Sequence, residues 1–177
     1  TLFRSLSAYA ALNALEADLA HFQDMIESFD YGNNRESIFS INSARVQLHL
    51  AKNPIGFQQK ISLVLKDEKP KDIIIQINDT YQDGEDISWL WDVDFQYLAD
   101  AEAATITTAG TRKFDMGLRL KYEDISCDNT TDLRSTIIER TKRGTGNLYV
   151  IVNYSGLYST NYMLTELEKT QKGGEEA

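Results

Sequence analysis

Between Asn78 and Asp94 the chain sets Asp79, Asp83, Glu85, Asp86, Asp92 and Asp94 around two tryptophans, Trp89 and Trp91. Carboxylates at this density can bind a cation or cap a helix. The spacing is close to that of a calcium loop, but the glycine and the terminal glutamate of an EF-hand are not in place. The plainest structural reading is that Asp86 or Ser88 caps a helix that Trp89 and Trp91 anchor on a sheet. Capping accounts for one acidic residue. Asp92 then falls inside the predicted helix, where aspartate is a poor helix former. A second group is Asn53, Asn78 and Asn153, each where a predicted strand stops, with Lys52 just before the first. An amide at a strand end most simply closes a turn, and three at one sheet edge add only a little weight to a ligand crevice there. Cys127 sits in a polar Ser-Cys-Asp-Asn stretch with no histidine nearby, a poor setting for a nucleophile. His21 and His49 have no neighbours that point to catalysis or metal binding, and His49, alternating with apolar residues, reads as a sheet-surface residue. Asp115 and Arg119 are spaced to pair with each other.

The elements that must position these residues follow from periodicity and punctuation. Ala, Leu and Glu are abundant from Leu6 to Phe29, which reads as one helix broken by Tyr31-Gly32-Asn33-Asn34. Ile38–Ile41 and Val46–Leu50 suit a hairpin or two successive strands about Asn42-Ser43. Gly56–Lys66 is a predicted helix, and Ile73–Ile77 a strand buried on both faces. Ser88–Ala99 reads as helix, Ala104–Thr108 as strand, and Lys113–Lys121 and Thr131–Lys142 as helices. Leu148–Val152 is the last strand. A helix over Tyr154–Glu168 follows, with a frayed end over Lys172–Ala177. Strands alternating with helices predict an α/β fold, a Rossmann-like mostly parallel sheet with helices on both faces, preceded by an N-terminal helix. The expected division is a helical segment 1–32, an α/β domain 33–168 and a tail 169–177.

Charge narrows the partners. With 27 acidic against 18 basic residues the net charge is -9, and a pI near 4.7 argues against nucleic acid. No polybasic patch offers a dock to an anionic membrane, and no apolar run is long enough for a transmembrane segment. The first twenty residues do not read as a secretory signal, so a cytoplasmic location is expected. One cysteine rules out an internal disulfide framework and a thiolate zinc cluster made by this chain alone.

The segment Asp83-Gly84-Glu85-Asp86-Ile87-Ser88-Trp89-Leu90-Trp91-Asp92-Val93-Asp94-Phe95 resembles the signature of the MurT C-terminal domain, an Asp-Gly-x-Asp-x-Ser-Trp-Ile-Trp-Asp pattern. Agreement continues in order at Asn33-Asn34-Arg35-Glu36-Ser37, Leu50–Gly56, Asp115–Tyr122 and Asn153-Tyr154-Ser155-Gly156-Leu157, so the resemblance spans about 35–167. It implies a Mur ligase C-terminal fold and a place in lipid II isoglutaminyl synthase. There the MurT subunit uses ATP to activate the α-carboxylate of D-glutamate in the lipid II stem peptide as an acyl phosphate. Ammonia released by the glutaminase subunit GatD then attacks it, at the inner face of the cell membrane. The resemblance further implies that this domain lends an Asp to the Cys–His pair of GatD; Asp92 is the first choice and Asp86 the second. Lys52 and Asn53 would face the acyl phosphate, and Asn78 and Asn153 the same substrate crevice. No Gly-x-x-x-x-Gly-Lys-[Ser/Thr] loop occurs, so ATP, Mg and a structural Zn are expected in an upstream domain, with residues 1–32 as its end. The chain, opening at Thr1, is expected to be a fragment inactive alone. The alternative is a non-catalytic Rossmann-like docking module, for which Trp89 and Trp91 suit a partner equally well.

Overall fold

The computed structural model describes residues 2–28, 36–42, 44–101, 103–144 and 146–172. The chain divides into two compact units, Thr1–Asn33 and Asn34–Ala177. In the first, α1 (Leu2–Ala14) and α2 (Phe22–Ser28) replace the single helix expected over Leu6–Phe29. The break contains neither Gly nor Pro. Glu16 takes a left-handed conformation (φ 54°), and the Asp18 carboxylate accepts the Ala20 N–H at 2.9 Å, a local bond that competes with the helix. Tyr9 and Phe22 close the unit edge to face, 5.5 Å between ring centroids. Phe29, the expected breaker Tyr31–Asn34, Ser43 of the expected turn, the block Asn33-Asn34-Arg35 and most of the frayed tail lie outside the described residues.

The second unit is built on six strands: β1 (Glu36–Ile41), β2 (Ala44–Leu50), β3 (Lys71–Gln76), β4 (Ala103–Ala109), β5 (Asp128–Asn129) and β6 (Asn147–Val152). Their order is β1-β2-β6-β3-β4-β5. Only β1 runs antiparallel, as the first arm of the hairpin with β2, and the other neighbours are parallel. This is the expected α/β, Rossmann-like, mostly parallel sheet. Alternation along the strands sorts the core into two halves. Ile73, Ile75, Tyr149 and Ile151 meet α3 (Pro54–Leu65), α4 (Lys113–Lys121) and the segment after β3 through Phe57, Ile61, Leu90, Phe95, Met116 and Leu120. Ile74, Leu148, Val150 and Val152 face α5 (Leu133–Lys142) and α6 (Tyr154–Lys172) through Ile137, Leu164 and Leu167. Residues 73–75 thus serve both faces, which is why that run carries no polar alternation. α6 continues past Glu168, whose carboxylate accepts the Ser40 N–H of β1 at 2.7 Å.

The segment expected as one helix over Ser88–Ala99 is two 3-10 stretches, Ser88–Asp92 and Phe95–Ala101, parted by an extended Val93 (φ -99°, ψ 131°). Arg119, 6% exposed on α4, explains the break. Its Nε donates to the Leu90 carbonyl at 3.2 Å and its Nη2 to the Val93 carbonyl at 2.8 Å, so both carbonyls, which otherwise accept only the tight-turn N–H groups of Val93 and Phe95, are held by a guanidinium rather than by the next turn of an α-helix. Asp92 therefore ends a short 3-10 helix rather than sitting inside an α-helix. Nor do Asp115 and Arg119 pair: Asp115 takes Arg112, and Arg119 takes Glu123. The two-residue β5 was not expected.

Candidate functional site

At the carboxyl edge of the sheet the strand ends β2, β3 and β6 converge, and neighbouring chains leave for opposite faces, β2 into α3 and β6 into α6. Such a switch point opens a crevice in doubly wound sheets. Here it is lined by Lys52, Tyr81, Asp83, Gly84, Trp89 and Tyr154 among others and encloses about 470 Å³. The Lys52 ammonium lies 5.7 Å from the centroid of the Tyr154 ring and has no ion pair or hydrogen bond among the described residues. A free cation over an aromatic wall suits an anionic ligand.

The three asparagines hold the edge together. Asn53 (φ -161°, ψ 167°) caps α3, its Oδ1 accepting the Gly56 N–H at 2.8 Å ahead of Pro54 in the first turn. Asn153 brackets Asn78: its Oδ1 accepts the Asn78 N–H at 3.1 Å and its Nδ2 donates to the Asn78 carbonyl at 2.7 Å. The Asn78 side chain in turn donates to Ser155 Oγ (3.0 Å) and accepts from the Thr111 N–H (3.1 Å), joining the ends of β3, β6 and β4. Asn153 is only 2% exposed. Of the four expected binding residues, Lys52 and Asn153 line the crevice, whereas Asn53 caps α3 and Asn78 ties the strand ends together.

Of the six acidic residues between Asn78 and Asp94, three are fully engaged. Asp79 accepts from Thr111 Oγ1 (2.7 Å) and Arg112 Nη1 (3.0 Å), which together hold its carboxyl below the usual range. Asp83 accepts the Ser155 N–H at the start of α6 (2.9 Å) and Thr80 Oγ1 (2.7 Å). The Thr80 N–H also reaches the Asp83 carboxylate at 3.3 Å, the half of a capping box that the Thr-x-x-Asp spacing offers. Asp86 accepts the Ser88 N–H (2.7 Å) and Oγ (3.0 Å), bonds that lower its pKa; it is not the expected cap, since Ile87 holds the N-cap position with no side-chain bond. Glu85, Asp92 and Asp94 are exposed, and their carboxylates have no hydrogen bond or ion pair among the described residues.

What holds Asp92 in place was missed in the sequence. The 3-10 helix Ser88–Asp92 turns Trp89 toward Phe57 (5.7 Å between centroids) and the crevice. It turns Trp91 the other way, edge-on to Tyr122 at the C-cap of α4 (5.2 Å) and over the Arg119 guanidinium (5.2 Å). Trp91 is therefore 54% exposed on α4 and does not anchor the segment on the sheet. Arg119 was hidden because its spacing fits Asp115 and Glu123 equally well. Cys127 is half-buried in a groove with Phe114, Gly117 and Leu118, and burial, then the Asp128 carboxylate, raises its thiol. His49 is not on the sheet surface: it is 4% exposed and stacked 5.9 Å from Tyr149. His21 stands in solvent 3.7 Å from Asp24.

Among the described residues, no group of three or more His, Cys, Asp or Glu could hold a metal ion, and no helix is long and apolar enough to cross a membrane. A family model described as MurT ligase C-terminal matches residues 50–157. The subunit MurT of lipid II isoglutaminyl synthase (glutamine-hydrolyzing) from Staphylococcus aureus strain COL is 29% identical over 98% of this chain and 39% of its own length. The subunit of that name from Streptococcus pneumoniae R6 is 24% identical over 97% of this chain and 39% of its own. The chain thus spans about two fifths of these relatives. The solved structure of UDP-N-acetylmuramate-alanine ligase MurC from Thermotoga maritima superposes with a TM-score of 0.61 over 98% of this chain and 38% of that one, at 15% identity, a likeness of fold alone. With the family model covering more than half of its residues, this chain belongs to the MurT ligase C-terminal family.

Proposed function

We propose that this chain is the C-terminal domain of the synthetase subunit of a lipid II isoglutaminyl synthase, and that it presents Asp92 to the Cys–His pair of a docked glutaminase subunit. The reading draws on the relatives' names and on one observation. Within the acidic segment, Asp79, Asp83 and Asp86 already hold their donors, whereas Asp92 is exposed and unpaired on a loop fixed by Arg119. An imidazole that activates a thiol needs its second nitrogen held by an acceptor that sets its tautomer and orientation. An acceptor carried on a second subunit makes glutamine hydrolysis depend on assembly. Asp86 remains second, because its lone pairs already serve Ser88. Asp94, equally unpaired, is the neighbour to test beside it.

In this reading Lys52 points from the crevice toward the activated carboxylate, with Asn53, Asn78 and Asn153 keeping the crevice walls in place. ATP, Mg and the structural Zn belong to parts of the synthetase outside this chain, and the reaction to the cytoplasmic face of the membrane. The test is glutamine hydrolysis by the full-length synthetase paired with its glutaminase. Asp92→Asn is expected to lower the rate by about 10³–10⁴-fold, the scale on which a misheld imidazole costs a triad, while the two subunits still co-purify. Full hydrolysis by Asp92→Asn, with loss in Asp94→Asn or Asp86→Asn, would reassign the carboxylate. Full hydrolysis by all three would remove the role from this loop.

A further inference from the structure

The crevice beside Lys52 is larger than one carboxylate needs. About 470 Å³ falls in the size class, roughly 300–1,000 Å³, that takes a ligand of many atoms. Three aromatic side chains, Tyr81, Trp89 and Tyr154, line it together with Lys52. We infer that these rings hold the peptide next to the carboxylate that Lys52 meets, with Tyr81 as a specificity-determining contact, an inference that rests on Lys52 facing the activated carboxylate.

Tyr81 combines a fixed backbone with a free side chain. Its 3-10 turn, Tyr81–Asp83, closes at Gly84 (φ 91°), whose N–H donates to the Tyr81 carbonyl at 3.3 Å. Asp83 ties that turn to Thr80 and to the first turn of α6. The Tyr81 ring is nevertheless 89% exposed at the crevice, with no hydrogen bond or ring contact among the described residues. The other two rings are braced, Trp89 by Phe57 and Tyr154 by the Lys52 ammonium. Two braced rings and one free ring form a wall that a ligand completes. Charge then selects the ligand. The Asp83 carboxylate is committed to Thr80 and Ser155, and the Asn153 amide to Asn78. Lys52 is therefore the one uncommitted charge of the lining among the described residues. A polyphosphate would bring several negative charges to that single ammonium, whereas a peptide with one free carboxylate brings one. Peptide planes are flat and neutral, and tyrosine and tryptophan faces give them contact area with little side-chain entropy to lose. Gln82, exposed in the same lining, offers such a chain both a donor and an acceptor.

The experiment is steady-state amidation by the full-length synthetase paired with its glutaminase, with added ammonium as the nitrogen source and with lipid II and ATP varied in turn. Tyr81→Ala is expected to raise KM for lipid II about 5- to 10-fold, the scale of one lost aromatic contact, with kcat within about two-fold and KM for ATP unchanged. Tyr81→Phe keeps the ring and is expected to return the parent values. Glutamine hydrolysis by the same preparations reports that each variant is folded and assembled. Amide exchange on the unsubstituted pair gives a readout free of any substitution: residues 80–84 gain protection when lipid II is added. An unchanged KM for lipid II in Tyr81→Ala, or no protection at 80–84, overturns the inference. A rise in KM for ATP alone gives the crevice to the nucleotide, and equal impairment of Tyr81→Phe replaces the ring contact by one through the hydroxyl. If Tyr81 fails while Lys52→Ala still slows amidation, the carboxylate stays with Lys52 and only the peptide contact falls. If Lys52→Ala amidates normally, the reading of the crevice and this inference fall together.

Discussion

His49 enters the core as a neutral imidazole. Burial lowers its pKa from 6.5 to about 4, with the Lys60 ammonium adding to the shift and Glu36 opposing it. Neither ring nitrogen has a hydrogen-bond partner, and the Glu36 carboxylate, 3.8 Å from Nδ1, is too far to be one. The unfolded chain, with histidine near 6.5, then binds more protons than the folded one across the window between 4 and 6.5. Stability is complete above about pH 6.5 and falls as the pH drops through that window, by on the order of 3 kcal/mol at the lower end. His49→Phe keeps a ring against Tyr149 without the titrating group. Urea melts at pH 7 and pH 4.5 should show the substituted chain losing less stability between the two than the parent, and equal losses would mean that His49 ionises freely in the fold. Period two along the strand places His49 correctly on the face opposite Leu48, but a sequence does not say that α3 and Tyr149 close over that face.

At the scale of elements, the 3-10 break at Val93 and the clamp by Arg119 are one feature. The guanidinium is buried between Trp91 and Phe95, 5.2 and 5.4 Å from their ring centroids, with Glu123 as counter-ion. Arg119→Met removes the charge but keeps much of the stem, leaving Glu123 without its counter-ion and the Leu90 and Val93 carbonyls with only their backbone donors, Val93 N–H and Phe95 N–H. The expected loss is about 2–4 kcal/mol in a denaturant melt. Trp91 emission should shift as the ring leaves Tyr122, with Trp89→Phe as the background to isolate it. Arg119→Lys should not restore either signal, because a single ammonium cannot serve two carbonyls and a carboxylate with the fork geometry. An unchanged melt would show that the segment holds its shape without Arg119. This explains what the sequence concealed. Ile73–Ile75, Val46–Leu50 and Leu148–Val152 were readable as strands because burial is written into their own residues. The helix expected over Ser88–Ala99 failed because its determinant lies 26 residues from Val93. The break between α1 and α2 failed because it turns on Glu16 and Asp18 rather than on Gly or Pro.

At the scale of the whole sheet, the carboxyl edge presents two surfaces, and Ser88–Asp92 stands between them. Trp89 faces the crevice with Lys52, and Trp91 faces α4 beside Asp92. The acidic cluster and the strand-end asparagines marked this edge in the sequence, yet only the fold puts Lys52 in the crevice lining and leaves Asp92 outside it. If Lys52 meets the activated carboxylate and Asp92 meets the partner's imidazole, their substitutions divide the reaction. In the full-length pair, Lys52→Ala should slow amidation about 10- to 100-fold with glutamine or with added ammonium, the range expected from losing one positioning contact. Glutamine hydrolysis by Asp92→Asn should be lost, and added ammonium should restore amidation in that variant. Because the two groups share no partner, their effects should multiply in the double variant within a factor of about two. Amidation by Lys52→Ala that recovers with ammonium would place Lys52 on the glutaminase side of the edge, and the division between crevice and docking face would be drawn in the wrong place.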